Sequence, residues 1–216
     1  MAVMEEIIAA IEAGKGRSVK WLIQQALEEG CTPREIVDSG LVPAMESVTR
    51  KYHNEQFYVP EVILASHAMT VGTTILSEYL EEQPIEPVGT VVIGTVKGDL
   101  HNIGKNLVIM MLRGVGFLVY DLGYDVKADT FLEKAIEYKA DIICMSAMLT
   151  TTMPQMQKVV GRLISRRLRD RFIVMVGGAP VTEGFAKSIG ADIYTKDAGM
   201  AAMEAKKALE RRKGKS

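Results

Sequence analysis

Apolar residues recur every three or four positions through roughly the first eighty residues, the spacing of a buried helix face. Val3, Ile7, Ile8 and Ile11 form the first stripe, and Gly14-Lys15-Gly16 interrupts it. Val19, Leu22, Ile23 and Ala26 form a second, on a helix predicted from about Ser18 to Leu27 and stopped at Gly30. Thr32-Pro33-Arg34-Glu35 opens a third helix, with an N-cap threonine, proline at the first helical position and a glutamate three residues after the cap. Ser39-Gly40 is expected to end that short turn. Val42, Met45 and Val48 then mark a helix from Leu41 to Tyr52. His53 to Tyr58 make a polar turn with an aromatic end, and a long apolar helix runs from Pro60 to about Tyr79, broken only by Gly72.

The pattern then changes. Residues 81–89 hold two prolines and three acids without a period, the signature of a linker. Beyond them, five strand-like runs (Thr90–Val96, Phe117–Asp121, Asp141–Ser146, Phe172–Gly177 and Asp192–Tyr194) alternate with helical patterns near Ile103–Arg113, Ala128–Lys139, Thr152–Leu168, Glu183–Ile189 and Gly199–Arg212. Strands alternating with helices predict a parallel sheet covered on both faces, with right-handed crossovers. Five strands with a specialised loop after the first suit the flavodoxin-like (Rossmann-like) order 2-1-3-4-5. The expected organisation is a four-helix-bundle domain over 1–83, a linker over 84–88 and an α/β domain over 89–216.

Ligands of open α/β sheets bind at the carboxyl ends of the strands, so the loops there carry the candidate chemistry. After the first strand comes Gly98-Asp99-Leu100-His101-Asn102-Ile103-Gly104. Asp99 and His101 stand two residues apart, close enough for the carboxylate to hold one ring nitrogen and leave the other free for a metal. The same residues also suit a plain strand-to-helix turn, with Asp99 capping the helix. The third strand ends in Ser146-Ala147-Met148-Leu149-Thr150-Thr151-Thr152, hydroxyls around apolar residues. Thr152-Met153-Pro154-Gln155 reads as a capping box, which accounts for Thr152 but not for Ser146 or Thr150. The fourth strand ends in Gly177-Gly178-Ala179-Pro180, where two glycines permit close backbone approach. Three loops thus line or clear one slot.

Common nucleotide loops do not explain that slot, because neither G-x-G-x-x-G nor the P-loop spacing occurs. A structural zinc normally takes four protein ligands, so a metal held by His101 alone must arrive already coordinated, as in a macrocycle. Composition narrows the classes further. The 216 residues are 48% hydrophobic and 25% charged with a formal net charge of −1, which supports a sizeable core and no phosphate-binding face. Arg162 to Arg171 and Lys206 to Lys215 read as solvated helix surface. Cys31 and Cys144 make neither a disulfide framework nor a cluster motif. Residues 1–13 are amphipathic and acidic, unlike a signal peptide, and no apolar stretch is expected to reach membrane-spanning length. The expectation is a cytoplasmic protein with no nucleic-acid or membrane partner.

Asp99-x-His101-x-x-Gly104, followed by Ser146-x-Met148 and Gly177-Gly178, resembles the D-x-H-x-x-G … S-x-L … G-G signature of corrinoid (cobalamin)-binding domains. The helical half resembles the cap of cobalamin-dependent methyltransferases, and the whole chain is similar to the small corrinoid proteins of methylamine- and methanol-type methyltransferase systems. The resemblance implies cobalamin or a related corrinoid bound base-off/His-on. His101 would be the axial ligand of cobalt, with Asp99 and Thr152 as its hydrogen-bonded relay. Leu100, Asn102, Ile103 and Gly104 would flank the ligand. Ser146, Met148, Leu149, Thr150, Gly177, Gly178 and Ala179 would line the slot for the nucleotide tail, with Tyr194 and Asp197 nearby. Met148 departs from the usual leucine, a swap an unbranched side chain tolerates. Phe57, Tyr58, Val59 and the Pro60 helix would face the upper side of the corrin, although ordinary bundle core explains each singly. His53 and His67 read as polar bundle residues, His67 with a lesser chance of approaching the corrin.

Implied with the family is a methyl carrier, catalytic only through its cofactor. It would shuttle a methyl group on cobalt from a substrate-specific methyltransferase to an acceptor methyltransferase using a pterin or thiol, with a reductive activation protein as third partner. A corrinoid-binding sensor would need an effector domain that this sequence is not expected to contain. A mutase-type subunit would usually lack the helical half.

Overall fold

A computed structural model describes residues 2–80 and 86–214. It divides into two compact units, Met1–Pro87 with Gly114–Gly116, and Val88–Arg113 with Phe117–Ser216. Residues 81–85 of the expected linker lie outside the described residues.

In the first unit, α1 (Ala2–Glu12), α2 (Gly16–Glu28), α3 (Pro33–Ile36), α4 (Val42–His53) and α5 (Val59–Leu80) pack around the predicted stripes. Ile7, Ile11, Val19, Ile23, Met45 and Val48 are buried there. The α3 capping box forms as the sequence predicts, with Glu35 N donating to Thr32 Oγ1 at 3.2 Å and Thr32 N donating to Glu35 Oε2 at 2.8 Å. Ser39-Gly40, however, does not end the helix. A π-helical turn over Val37–Leu41 joins α3 to α4. Pro43 lacks a backbone donor and its ring crowds the carbonyl four residues back, so the ordinary ladder widens here rather than breaking. Gly40 is buried, and a Cβ there would press on Ile7 Cγ2 at 3.3 Å.

One expectation about α5 needs correcting. Its Val59–Ser77 stretch, 19 residues, is by length and composition apolar enough to cross a membrane. The helix packs against α1, α2 and α4, burying Val62, Ala65, Ala68, Met69 and Leu76, while Tyr58, Ile63 and Leu64 are exposed.

The second unit is the expected five-stranded parallel sheet, in the order β2-β1-β3-β4-β5, which is 2-1-3-4-5. Its strands are β1 (Thr90–Thr95), β2 (Leu118–Asp121), β3 (Ile142–Ser146), β4 (Ile173–Gly177) and β5 (Ile193–Tyr194). The helices are α6 (Ile103–Gly114), α7 (Ala128–Glu137), α8 (Pro154–Ser165), α9 (Glu183–Ile189) and α10 (Ala198–Lys213). Central strands β1, β3 and β4 are nearly continuous runs of buried β-branched and sulfur-bearing residues, as sheets covered on both faces require. Register sets Thr95 beside Ser146 and Ser146 beside Gly177, so the three candidate loops leave the sheet at one level.

A candidate corrinoid site at the carboxyl edge of the sheet

The loop after β1 turns at once, with Asp99 N donating to Val96 O at 3.1 Å and Gly98 at φ +82°, where glycine is free of strain. This turn drives the Asp99 side chain back into the protein, where it is completely buried. Oδ1 accepts from His101 Nδ1 at 2.7 Å and from His101 N at 3.1 Å. Oδ2 accepts from Met148 N at 2.7 Å, Leu149 N at 3.3 Å and Thr152 Oγ1 at 2.8 Å. Burial alone opposes ionisation of Asp99. Donors from Met148, the His101 ring, Thr152 and the His101 amide outweigh it and hold the carboxyl well below the usual carboxylate range.

An ionised carboxylate only accepts, so His101 Nδ1 must carry the proton in this pair. Nε2 is the ring nitrogen left without a partner in the pair, and the side chain is 56% exposed. Thr95, buried, donates its hydroxyl to His101 O at 2.9 Å and fixes the backbone beneath the ring. The loop therefore presents an oriented imidazole to solvent.

Thr152 acts differently from its capping-box reading. The residue preceding α8 is Met153, which makes no side-chain cap, and the Thr152 hydroxyl points instead at Asp99 Oδ2 and Leu149 O. Of the two acceptors that share its hydrogen, the carboxylate is the stronger. Ser146 is half-buried at the end of β3, and Thr150 is exposed. Leu100, Ile103, Met148 and Leu149 are all exposed large apolar side chains in the two loops that Asp99 ties together. Asn102 N-caps the turn into α6 through its carbonyl, which accepts from Asn106 N at 2.8 Å.

The glycines separate into two kinds. A Cβ at Gly104 would meet no protein atom within 4 Å, and its φ is not positive. A Cβ at Gly178 would collide with the Ala147 carbonyl oxygen, and Gly178 sits at φ +132°. Gly177 has only an ordinary contact to Thr195 O, and Ala179 is exposed. Tyr194 packs partly into the sheet core, while Asp197 caps α10, accepting from Met200 N at 2.8 Å.

Three partners of the loop escaped the sequence reading: Lys105, Asp121 and Asp125. Lys105 falls on the stripe of Ile109 and Leu112 at i, i+4 and i+7, so a charge in a core register was the available signal. Asp125 had no such signal.

The residues fit a corrinoid. Among the described residues no cluster of three His, Cys, Asp or Glu side chains could hold a bare ion. A single free imidazole nitrogen, an apolar rim and an empty space at Gly104 instead suit a metal that brings its own planar ring.

Comparison with known proteins agrees. A B12 binding domain family model matches residues 89–206, and a second B12 binding domain model matches residues 3–77. The trimethylamine corrinoid protein of Methanosarcina barkeri is 39% identical over 97% of this chain and 99% of its own length. The dimethylamine corrinoid protein of the same organism is 39% identical over 95% and 97%. The crystal structure of the methanol:cobalamin methyltransferase complex MtaBC from Methanosarcina barkeri superposes with a TM-score of 0.87 at 29% identity, covering 97% of this chain and 80% of that one. With both halves matched and relatives aligned along nearly their whole length, the chain belongs to the B12-binding corrinoid proteins.

Proposed function

We propose that this chain is a methyl carrier, holding a corrinoid base-off/His-on and passing between a substrate-specific methyltransferase and a second methyltransferase that serves a pterin or thiol acceptor. The bound corrinoid supplies a cobalt centre that can accept and release a methyl group. The observation that carries the reading is the geometry of His101, with Nδ1 2.7 Å from a buried carboxylate oxygen and the side chain largely exposed, which leaves Nε2 as the nitrogen available to a ligand. His101 Nε2 ligates, and Asp99 fixes the ring's orientation, the usual outer partner of a metal-bound histidine. Thr152, with the Met148 and Leu149 amides, holds Asp99 as an ionised acceptor for the ring. Leu100, Ile103 and Gly104 face the ring, while Ser146, Met148, Leu149, Thr150, Gly177, Gly178 and Ala179 line the tail's slot. The helical unit corresponds in sequence to the cap of the family, and residues 84–88 link it to the α/β domain. A reductive activation protein completes the partners.

Reconstitution with hydroxocobalamin and paramagnetic resonance of the cobalt(II) form test the ligation. Labelling histidine with nitrogen-15 makes the expected coupling unambiguous, and His101→Ala abolishes it. Identical spectra from wild type and variant would overturn the reading. The relatives named for methylamines make a methylated amine the first donor to assay, with a cognate methyltransferase and a reductant present. Methyl transfer from methanol, a betaine or an aryl methyl ether but not from amines would reassign the donor.

A further inference from the structure

Among the described residues Lys105 is the one buried cation, its side chain 2% exposed. A buried ammonium persists only when its donors are met. All three are, by Asp121 Oδ1 at 2.7 Å, Asp121 Oδ2 at 2.7 Å and Asn106 Oδ1 at 2.9 Å. Lys105 stands one turn after His101 in α6, and Asp121 ends β2, so the pair ties the start of that helix to the next strand.

The tie continues. Asp121 Oδ1 also accepts from Gly123 N at 2.9 Å, which sets the loop over residues 122–126. That loop grips the His101 loop on both sides of Asp99. Gly123 O accepts from Thr95 N at 3.0 Å, and Thr95 in turn holds His101 O. Asp125 Oδ1 accepts from Gly98 N at 2.7 Å, and Asp125 N donates to Asp99 O at 3.1 Å. Asp125 reaches this geometry at φ +55°, in the left-handed region that aspartate enters more readily than most residues other than glycine. Thr95 and Asp99, which hold the His101 backbone and ring, are thereby braced by a loop that Asp121, the partner of Lys105, helps to set.

We propose that Lys105 is a positioning residue for His101, acting through Asp121 and the loop over 122–126 rather than by touching the ligand. Only the last step of this proposal, the effect on ligation, rests on the axial-ligand reading. The order of the loop is a property of the chain itself.

The test uses the full chain and four variants. Lys105→Met removes the ammonium and keeps the unbranched stem, leaving an Asp121 side chain that is 36% exposed and can be hydrated. Asp125→Gly breaks a later link at an exposed position whose φ glycine adopts freely. Leu163→Ala, in the sheet core away from these loops, controls for general destabilisation. Without corrinoid, amide exchange at His101 and Met148, the donors to Asp99, should quicken at least tenfold in Lys105→Met and Asp125→Gly but not in Leu163→Ala. Lys105→Gln, which keeps two donors, should fall between. After loading with hydroxocobalamin, the fraction of cobalt(II) coupled to histidine nitrogen should drop about threefold or more, below the 10–100-fold of a direct partner. Exchange within twofold of wild type in both variants overturns the proposal, and Asp125→Gly decides it should Lys105→Met not fold. If wild type itself shows no histidine coupling, the ligand reading fails while the exchange data still judge Lys105.

Discussion

Gly104 and Gly178 look alike in the sequence, each a glycine beside the end of a strand at the ligand edge of the sheet. Around Gly178 the protein itself fills the space a side chain would need, because the Ala147 carbonyl packs there and the backbone sits at φ +132°. Around Gly104 a Cβ would find open space beyond its own helix, and its φ is not positive. Folding requires the glycine at 178 and does not require the one at 104. Three substitutions and one labelling experiment can break or sharpen that distinction.

The largest effect belongs to Gly178→Ala. The left-handed φ and the collision with Ala147 together should remove about 3 kcal/mol or more of stability. Urea denaturation showing less than about 1 kcal/mol would place Gly178 with Gly104 instead. Next comes Asp99→Asn, which sets an amide against several donors in a buried site and should lose about 3 kcal/mol, with corrinoid affinity falling 10–100-fold. Asp99 also fixes an acid limit. Its folded-state carboxyl lies below the unfolded value of about 3.9, so its contribution is present above that value and is lost as pH falls toward the folded one. Asp99→Asn should flatten the wild-type fall in stability below about pH 4, and parallel acid titrations of the two proteins would contradict this.

Gly104→Ala should separate stability from binding. Helix propensity predicts a change between zero and a gain of about 0.8 kcal/mol. Corrinoid affinity should nevertheless drop about tenfold, a loss of about 1.4 kcal/mol in binding. Unchanged affinity, measured by equilibrium titration, would show that the open space is not used. The smallest effect concerns the sheet beneath both loops. Burial pushes the Cys144 thiol up to about 12, so an alkylating reagent at pH 8 should modify Cys31 and spare Cys144. Labelling of folded Cys144, detected by mass spectrometry, would reveal that the sheet opens.

Much of the architecture was legible because its signals are local. The helical stripes of α1, α2 and α4, the alternation after residue 89, and the order 2-1-3-4-5 followed from periodicity and from where a specialised loop must sit. Helix ends were less legible. Ser39-Gly40 looks like a stop, but buried packing of Gly40 against Ile7 and the needs of Pro43 turn it into a π-helical joint. The length of α5 was visible and its apolar content underestimated, since one face packs in the bundle while Ile63 and Leu64 stay exposed.

At the site, the sequence by itself determined which residue types stand at the carboxyl ends of the strands. The spacing of Asp99 and His101 already permitted the contact seen at 2.7 Å, because two residues of backbone can close it locally. What the fold decided is everything that crosses the chain. Thr152 lies 53 residues from Asp99 and binds its carboxylate instead of capping α8. Lys105, Asp121 and Asp125 join only when β2 pairs beside β1 and brings residues 121–126 against the turn at Gly98. Strand pairing is set by burial of whole faces, so a single side chain's partner across strands leaves no local period in the sequence. The candidate ligand nitrogen could be read from the chain, and the hydrogen bonds that reach it from other strands only from the fold.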